Sequence, residues 1–319
     1  MKLTFNFVFF LIKGNLNPFN TQKTTALDYI KSIEKTFYAK TFPQKLKSIK
    51  SSIYADSSLG ESFMSQIGFT LDNMLLSCLY ANQITCKSSD FKSYTSFDRG
   101  NCFTFNADIS NITTSSQTGQ YYGLQLELFG GFDGKGLFDF DLSDYLNLKK
   151  WFYFLDGIQN YEAISNGFYL AVTNNSNKPL IKYEGIEVSP GYVTNIGITR
   201  TFYYKLPSPY GDCRGSPLDA VDSDSLYYKY TTQFGKYTRN QCYEICFQYS
   251  YAIPNCSCAD AAVGHNANNV TVCGAGRKQK CLDEQRALFS SSNCNSDCPE
   301  ACERVEYSYK VSFSKYPTK

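Results

Sequence analysis

Residues 242–258 read CYEICFQYSYAIPNCSC, four cysteines in seventeen positions. Thiols at this density serve as metal ligands, as redox pairs or as a disulfide framework, and the choice fixes the compartment of the chain. Structural zinc favours CxxC knuckles or mixed Cys/His sets. The steps here are CxxxC and CxC, no CxxC occurs, and His265 is the sole histidine of the chain. Ten of the 13 cysteines fall between 213 and 302. The sequons at Asn111, Asn174, Asn255 and Asn269 accept glycans only in a secretory lumen. Together these features indicate an oxidised, extracellular chain held by disulfides, with no metal.

The stretch also carries local structure. Thr238-Arg-Asn-Gln241 has the form of a capping box and predicts a helix start. Cys242, Ile245, Cys246 and Tyr249 then follow on one helical face, the two thiols about 6 Å apart along the axis at ~1.5 Å per residue. Pro254 is expected to close the segment. Cys294, Cys298 and Cys302 repeat the four-residue step. If the two segments run antiparallel, the rungs nest as Cys246 with Cys294, Cys242 with Cys298 and Cys213 with Cys302. Cys256 with Cys281 and Cys258 with Cys273 nest inside them. Spacing alone does not choose among the alternative pairings.

Working outward, the 319 residues are 43% apolar and 19% charged, with a net charge of +2. This is the composition of a folded chain, and it favours neither nucleic acid nor an anionic surface as a partner. The most apolar run, FVFFLI at 7–12, is far short of the ~20 residues that cross a bilayer. Preceded by Lys2, it reads as a short leader, although no small-residue cleavage site follows, or as a misassigned or truncated start.

TTALDYIKSIEKTFYAK (24–40) predicts an amphipathic helix, with Leu27, Ile30, Ile33 and Phe37 on one side. Cys78 and Cys86 bracket a tight loop, and GNCFTFN (100–106) is strand-like. YGLQLELF alternates Leu124, Leu126 and Leu128 with polar residues, a half-buried strand. GFYLAVT (167–173) and YVTNIGITRTFYYKL (192–206) are β-branched and aromatic. QKCLDEQRALF (279–289) predicts a second helix, with Leu282, Leu288 and Phe289 inward, and EYSYKVSF (306–313) returns to period-two alternation. The fold class is α+β: a β body interrupted by a cysteine-stapled helical insert.

In this order, NLNPFN (15–20), DNMLLSCLYANQITC (72–86), GNCFTFN, GIEVSPGYVTNIGITRTFYYKLPSPYGDC (185–213), the spacing from Cys242 to Cys302 and YSYKVSFSKYP (307–317) resemble the extracellular part of the degenerin, epithelial sodium channel and acid-sensing ion channel family. The resemblance implies a palm β-sheet body with a helical finger and a disulfide-rich helical thumb. Divided on that pattern, 1–22 is an aberrant amino terminus with the first palm strand and 23–99 the finger. Residues 100–212 are palm, knuckle and β-ball, 213–302 the thumb and 303–319 a returning palm strand. The pairing it implies is Cys78 with Cys86 and the nested ladder above. Family members carry a cysteine directly before the Asn-x-Asn-Pro stretch that pairs with the cysteine of GNCFTFN. Gly14 stands there in this chain, which leaves Cys102 unpaired.

What the resemblance implies for function is a subunit of a trimeric, sodium-selective, amiloride-sensitive channel of the plasma membrane. This segment is then extracellular, truncated at both ends, and joined to the membrane by helices outside the chain. Its partners are sodium, related subunits as a homo- or hetero-trimer, and an extracellular ligand of unknown kind. Tyr210 in PSPYGDC matches the aromatic that couples the thumb base to the first membrane helix; the plainer reading is that it packs the palm. Glycans are expected at Asn111, Asn174 and Asn269. A secreted cysteine-rich binding protein without channel activity is the alternative function. An enzyme is not expected: HExxH, GxSxG and Walker patterns are absent, and His265 lies in a polar loop stretch. The carboxylate pairs Asp139/Asp141 and Asp222/Asp224 read as solvated surface, and no cofactor is implied.

Overall fold

In this computed structural model, the described residues are 6–11, 42–56, 60–67, 69–81, 83–108, 110, 112–115, 117–129, 167–173, 183–214, 231, 237–263 and 270–316. The helix expected at 24–40, NLNPFN, Gly14, the two Asp pairs, His265 and the sequons at Asn111, Asn174 and Asn269 lie outside them.

The apolar run near the start forms strand β1 (Asn6–Leu11). It is the middle strand of a five-stranded antiparallel sheet whose others are β4 (Phe91–Ser96), β5 (Gly100–Phe105), β7 (Phe168–Thr173) and β8 (Ile186–Val188), in the order β4-β5-β1-β7-β8. Its register is Phe7 opposite Phe105 on one side and Val172 on the other. A leader and a central strand share an apolar composition, and pairing along both edges is what makes this segment a strand. β5 and β7 are correspondingly buried, with Phe103 at 5%, Val172 at 1% and Cys102 and Ala171 at 0% exposure.

Beside this sheet, β2 (Leu75–Tyr80), β3 (Ile84–Thr85) and β6 (Gln125–Leu128) form a three-stranded sheet in the order β3-β2-β6. The Cys78–Cys86 bridge closes its hairpin. Helices α1 (Phe42–Ala55), α2 (Gly60–Ile67) and α3 (Leu71–Met74) precede it in the chain. One core joins these parts: Phe69, Met74, Phe103 and Phe168 are buried together, with Leu126, Leu128 and Val188 packed against them.

A long ribbon leads away from the sheets. β9 (Tyr192–Tyr204) pairs with β10 (Glu303–Lys315) in unbroken antiparallel register from Tyr192/Lys315 to Tyr204/Glu303. Period-two alternation puts Ile196, Ile198 and Arg200 on the half-buried face with Tyr307 and Tyr309. The Arg200 guanidinium lies over Phe202 of the same strand at 4.5 Å and over Tyr307 across the ribbon at 5.9 Å, two cation–π contacts. The Tyr309 hydroxyl accepts the Val172 N–H at 3.1 Å and ties the ribbon to the five-stranded sheet.

The ribbon encloses the cysteine-rich insert. Helix α4 (Arg239–Phe247) begins at Thr238, whose side chain accepts from the Gln241 N–H at 3.4 Å. The chain does not stop at Pro254. It widens through a π turn over Gln248–Ala252 and re-enters a helical turn, α5 (Ile253–Cys256), ending at Ser257 in the left-handed region. Proline lacks only an N–H that a first helical turn leaves unused, so Pro254 opens this turn instead of closing the segment. Helix α6 (Arg277–Leu288) brings Leu282 to 5% exposure and packs Phe289 beyond its end against the same core. Leu288, expected inward, is 70% exposed. Leu282 and Phe289 are seven residues apart and share a face, whereas six residues turn Leu288 about 240° away. Among the described residues, no helix is long and apolar enough to cross a membrane.

Candidate functional site

The insert is a lobe whose core is sulfur and aromatic carbon. Five bridges run through it in nested order: Cys213–Cys302, Cys242–Cys298, Cys246–Cys294, Cys256–Cys281 and Cys258–Cys273. The four-residue step on α4 sets two rungs on one face, with Cys242 at 0% and Cys246 at 2% exposure. Tyr237 closes one end of this cluster and donates its hydroxyl to the Pro299 carbonyl at 2.6 Å. Phe247 and Ala252 fill the other end, with Tyr251 and Phe289 set edge-on at 5.3 Å. Each bridge removes chain entropy from the unfolded state, and in the folded lobe it ties two backbone positions at Cα separations of 4.9 to 6.3 Å.

Three polar side chains in the lobe were not singled out by the sequence. Arg286 on α6 places Nη1 2.8 Å from Glu244 Oε2 on α4 and Nη2 2.8 Å from Asp260 Oδ2. Its guanidinium lies 3.5 Å from the centre of the Phe247 ring. Burial opposes the charge, but the two carboxylates outweigh it and hold the Arg286 pKa above its ordinary value. The signal was present as a carboxylate between two inward cysteines, at Glu244; its partner, forty-two positions on, has no local sequence mark.

The lobe joins the ribbon through a stem. Beyond β9, the Lys205 N–H donates to the Cys302 carbonyl at 2.8 Å, Arg214 N–H to the Glu300 carbonyl at 2.9 Å and Cys302 N–H to the Arg214 carbonyl at 2.8 Å. The Cys213–Cys302 bridge crosses this point with a Cα separation of 4.9 Å. Glu300 collects the side chains: Lys205 donates to one oxygen, and Arg239 Nη1 lies 3.3 Å from the other. The Lys205 hydrogen bond is the main cause that lowers the Glu300 pKa. Arg239 also donates through Nε to the Cys298 carbonyl at 3.0 Å, so one residue at the start of α4 braces stem and ladder together.

Tyr210 sits in the stem turn, its N–H bonded to the Pro207 carbonyl at 3.0 Å, after a cis Ser208–Pro209 peptide. Its side chain is 82% exposed, so it does not pack the β body. Leu206 at 68% and Tyr204 at 72% exposure precede it in the chain. Cys102 is a free cysteine, fully buried on β5 beside Ala171, Tyr94 and Tyr169. Burial is the main cause that pushes its thiol up to about 12.

A disulfide-laddered lobe, carried on a two-stranded ribbon that returns to an antiparallel sheet, is the architecture of a cysteine-rich module held by bridges. Residues 10–319 match the family described as amiloride-sensitive sodium channel, and the chain belongs to that family. It is 25% identical to degenerin del-1 of Caenorhabditis elegans over 79% of this chain and 34% of that protein. It is 26% identical to the epithelial sodium channel subunit gamma-2 of Xenopus laevis, over 79% of this chain and 34% of the relative. Against acid-sensing ion channel 1C of Danio rerio the identity is 25%, over 81% and 43%. The chain thus spans well under half the length of these relatives. The family is one of ion channels, not of enzymes.

Proposed function

We propose that this chain is the extracellular domain of a subunit of a sodium-selective, amiloride-sensitive cation channel of the plasma membrane. The family match over residues 10–319 carries the reading. On this reading β1, β5, β7, β8 and the β9–β10 ribbon belong to the palm, knuckle and β-ball, and α1 to α3 and β4 belong to the finger. The lobe from Cys213 to Cys302 is the thumb. Subunits assemble as a homo- or hetero-trimer, and the membrane helices lie outside the described residues of this chain. Asn111, Asn174 and Asn269 carry glycans.

The mechanism follows from the contrast in stiffness. A lobe with five internal bridges moves as one body, because deforming it works against covalent links. The lobe joins the ribbon through the stem and meets α1 through α6, so a push on it is carried to Lys205–Arg214 and Glu300–Cys302 as well as to α1. Tyr210 rides on that stem, and its large exposed ring is the contact that passes the push to the membrane segment. Exposed aromatic anchors are well suited to such contacts, since they bury much area with little side-chain entropy. The test is voltage-clamp recording from cells expressing the complete gene product. A sodium current blocked by amiloride is expected, and its absence under acid, peptide and stretch stimuli alike overturns the reading.

A further inference from the structure

The lobe also touches the β body away from its stem. The Tyr183 hydroxyl donates a hydrogen bond to Glu244 Oε1 on α4. The other oxygen of the same carboxylate is held by Arg286, which also grips Asp260. Glu244 therefore has a fixed side, inside the lobe, and a side turned to the body. Asp260 is itself anchored, accepting the Ala262 N–H at 2.9 Å while its own N–H donates to Gln248 at 2.8 Å.

Tyr183 lies in the turn that leads into β8. Two residues on, Gly185 has φ +122°, and a Cβ there would stand 2.7 Å from the Leu170 carbonyl oxygen and 2.4 Å from the Tyr169 ring. The approach to β8 is thus pressed onto β7, and Ile186 pairs with Leu170 immediately after it. The approach to β8 and the disulfide lobe meet here through a phenol and a carboxylate. The contact is a hydrogen bond, whereas the stem carries a disulfide.

We propose that Tyr183 and Glu244 form a releasable latch between the sheet and the cysteine lobe, with Arg286 as the post that keeps Glu244 in position to receive the phenol. Opening the latch frees the approach to β8 and the outer face of α4 while every bridge of the lobe stays intact. Its use as a resting-state restraint in a channel rests on the functional reading above; its existence does not.

Hydrogen exchange on the full chain, read by mass spectrometry of peptides, tests the latch without reference to current. Tyr183→Phe removes one oxygen and keeps the ring. Exchange at Ile186–Val188 is expected to rise about tenfold, as for loss of one charge-assisted hydrogen bond, with α6 unchanged. Arg286→Gln, which frees the post, is expected to raise exchange at Ile186–Val188 and at α4 together. Unchanged exchange at Ile186–Val188 in Tyr183→Phe overturns the latch. So does a rise spread evenly over α4, α6 and β8, which marks loosening of the whole fold. If the latch behaves as expected and the complete gene product passes no amiloride-blocked current, the channel reading fails and the latch stands.

Discussion

The hydroxyl of Ser51 on α1 lies 2.6 Å from Oε1 of Gln279 on α6, in a buried contact spanning 228 positions of sequence. Around it, Lys47 meets Asp283 at 2.9 Å and the Ala275 N–H donates to Ser52 at 3.3 Å. Two helices from opposite ends of the chain are joined through neutral donors at the centre and an ion pair at the rim.

Removing one partner of a buried hydrogen bond strands the other, at about 1–3 kcal/mol. Ser51→Ala is therefore expected to lower stability by about 1–2 kcal/mol, visible as a shift of the urea midpoint at constant slope. Lys47→Ala, on a half-exposed pair, is expected to cost less than about 0.5 kcal/mol. Equal losses in the two variants would show that the rim, not the buried centre, joins the helices.

The free thiol yields a pH prediction. The Cys102 pKa is raised from 9.0 to about 12 in the folded chain. Below the unfolded value, both states hold the proton and stability is full. As pH rises past about 9, the unfolded thiol ionises while the folded one does not, so stability falls with pH until about 12. Denaturant titrations across this window are expected to show the fall, and Cys102→Ala to flatten part of it. Iodoacetamide, which needs the thiolate, is expected to leave the native chain unlabelled at pH 8 and to label one cysteine on unfolding without reductant.

Arg286 holds Glu244 and Asp260, whose side chains are each only 9% exposed. Arg286→Met leaves two buried carboxylates without a cation and is expected to cost about 3–5 kcal/mol. The triple variant that also carries Glu244→Leu and Asp260→Leu is expected to recover most of that loss, because the penalty lies in the orphaned charges. Thermal unfolding of the single and triple variants measures both. A triple variant no more stable than the single one would place the cost in packing over Phe247 instead.

How far the sequence reached depended on whether a signal was local. The start of α4 at Thr238 follows from a side chain and an N–H three residues apart, and β5, β6, β7, β9 and β10 follow from alternation or β-branched runs. All of these are decided by neighbours in the chain. The role of 6–11 was not legible, because an apolar hexamer has the same composition in a leader and in a central strand until its partners at Phe105 and Val172 are known. Leu288 is apolar like Leu282, but a six-residue step turns it to the exposed side of α6. The Arg286 cluster and the Tyr183 contact stayed hidden for a further reason: each joins residues whose proximity exists only after the lobe has closed.

Nesting changes what each rung contributes. Cys242 and Cys298 are 56 residues apart, for which loop entropy alone gives about 4 kcal/mol. With Cys246–Cys294 already closed, only the short arms 242–246 and 294–298 remain to be confined, a ring worth about 2.5 kcal/mol. Replacing both cysteines of the Cys242–Cys298 rung by alanine is therefore expected to lower stability by the smaller figure, plus any packing loss. The Cys213–Cys302 bridge confines the longer arms 213–242 and 298–302 and is expected to cost about 1 kcal/mol more. Denaturant midpoints of the two double-alanine variants, under non-reducing conditions, decide the order.

Tyr210 separates function from stability. Its ring is 82% exposed and its backbone holds the stem turn through the N–H, which any residue but proline supplies. Tyr210→Ala is expected to leave the unfolding midpoint within about 0.5 kcal/mol of the parent, because little apolar area is uncovered. On the channel reading, the same variant in the complete gene product is expected to reduce stimulus-evoked current at unchanged surface density, with Tyr210→Trp retaining it. Surface biotinylation paired with current recording checks this. Current that survives Tyr210→Ala at normal size would remove Tyr210 from the coupling path and return it to the ordinary exposed surface.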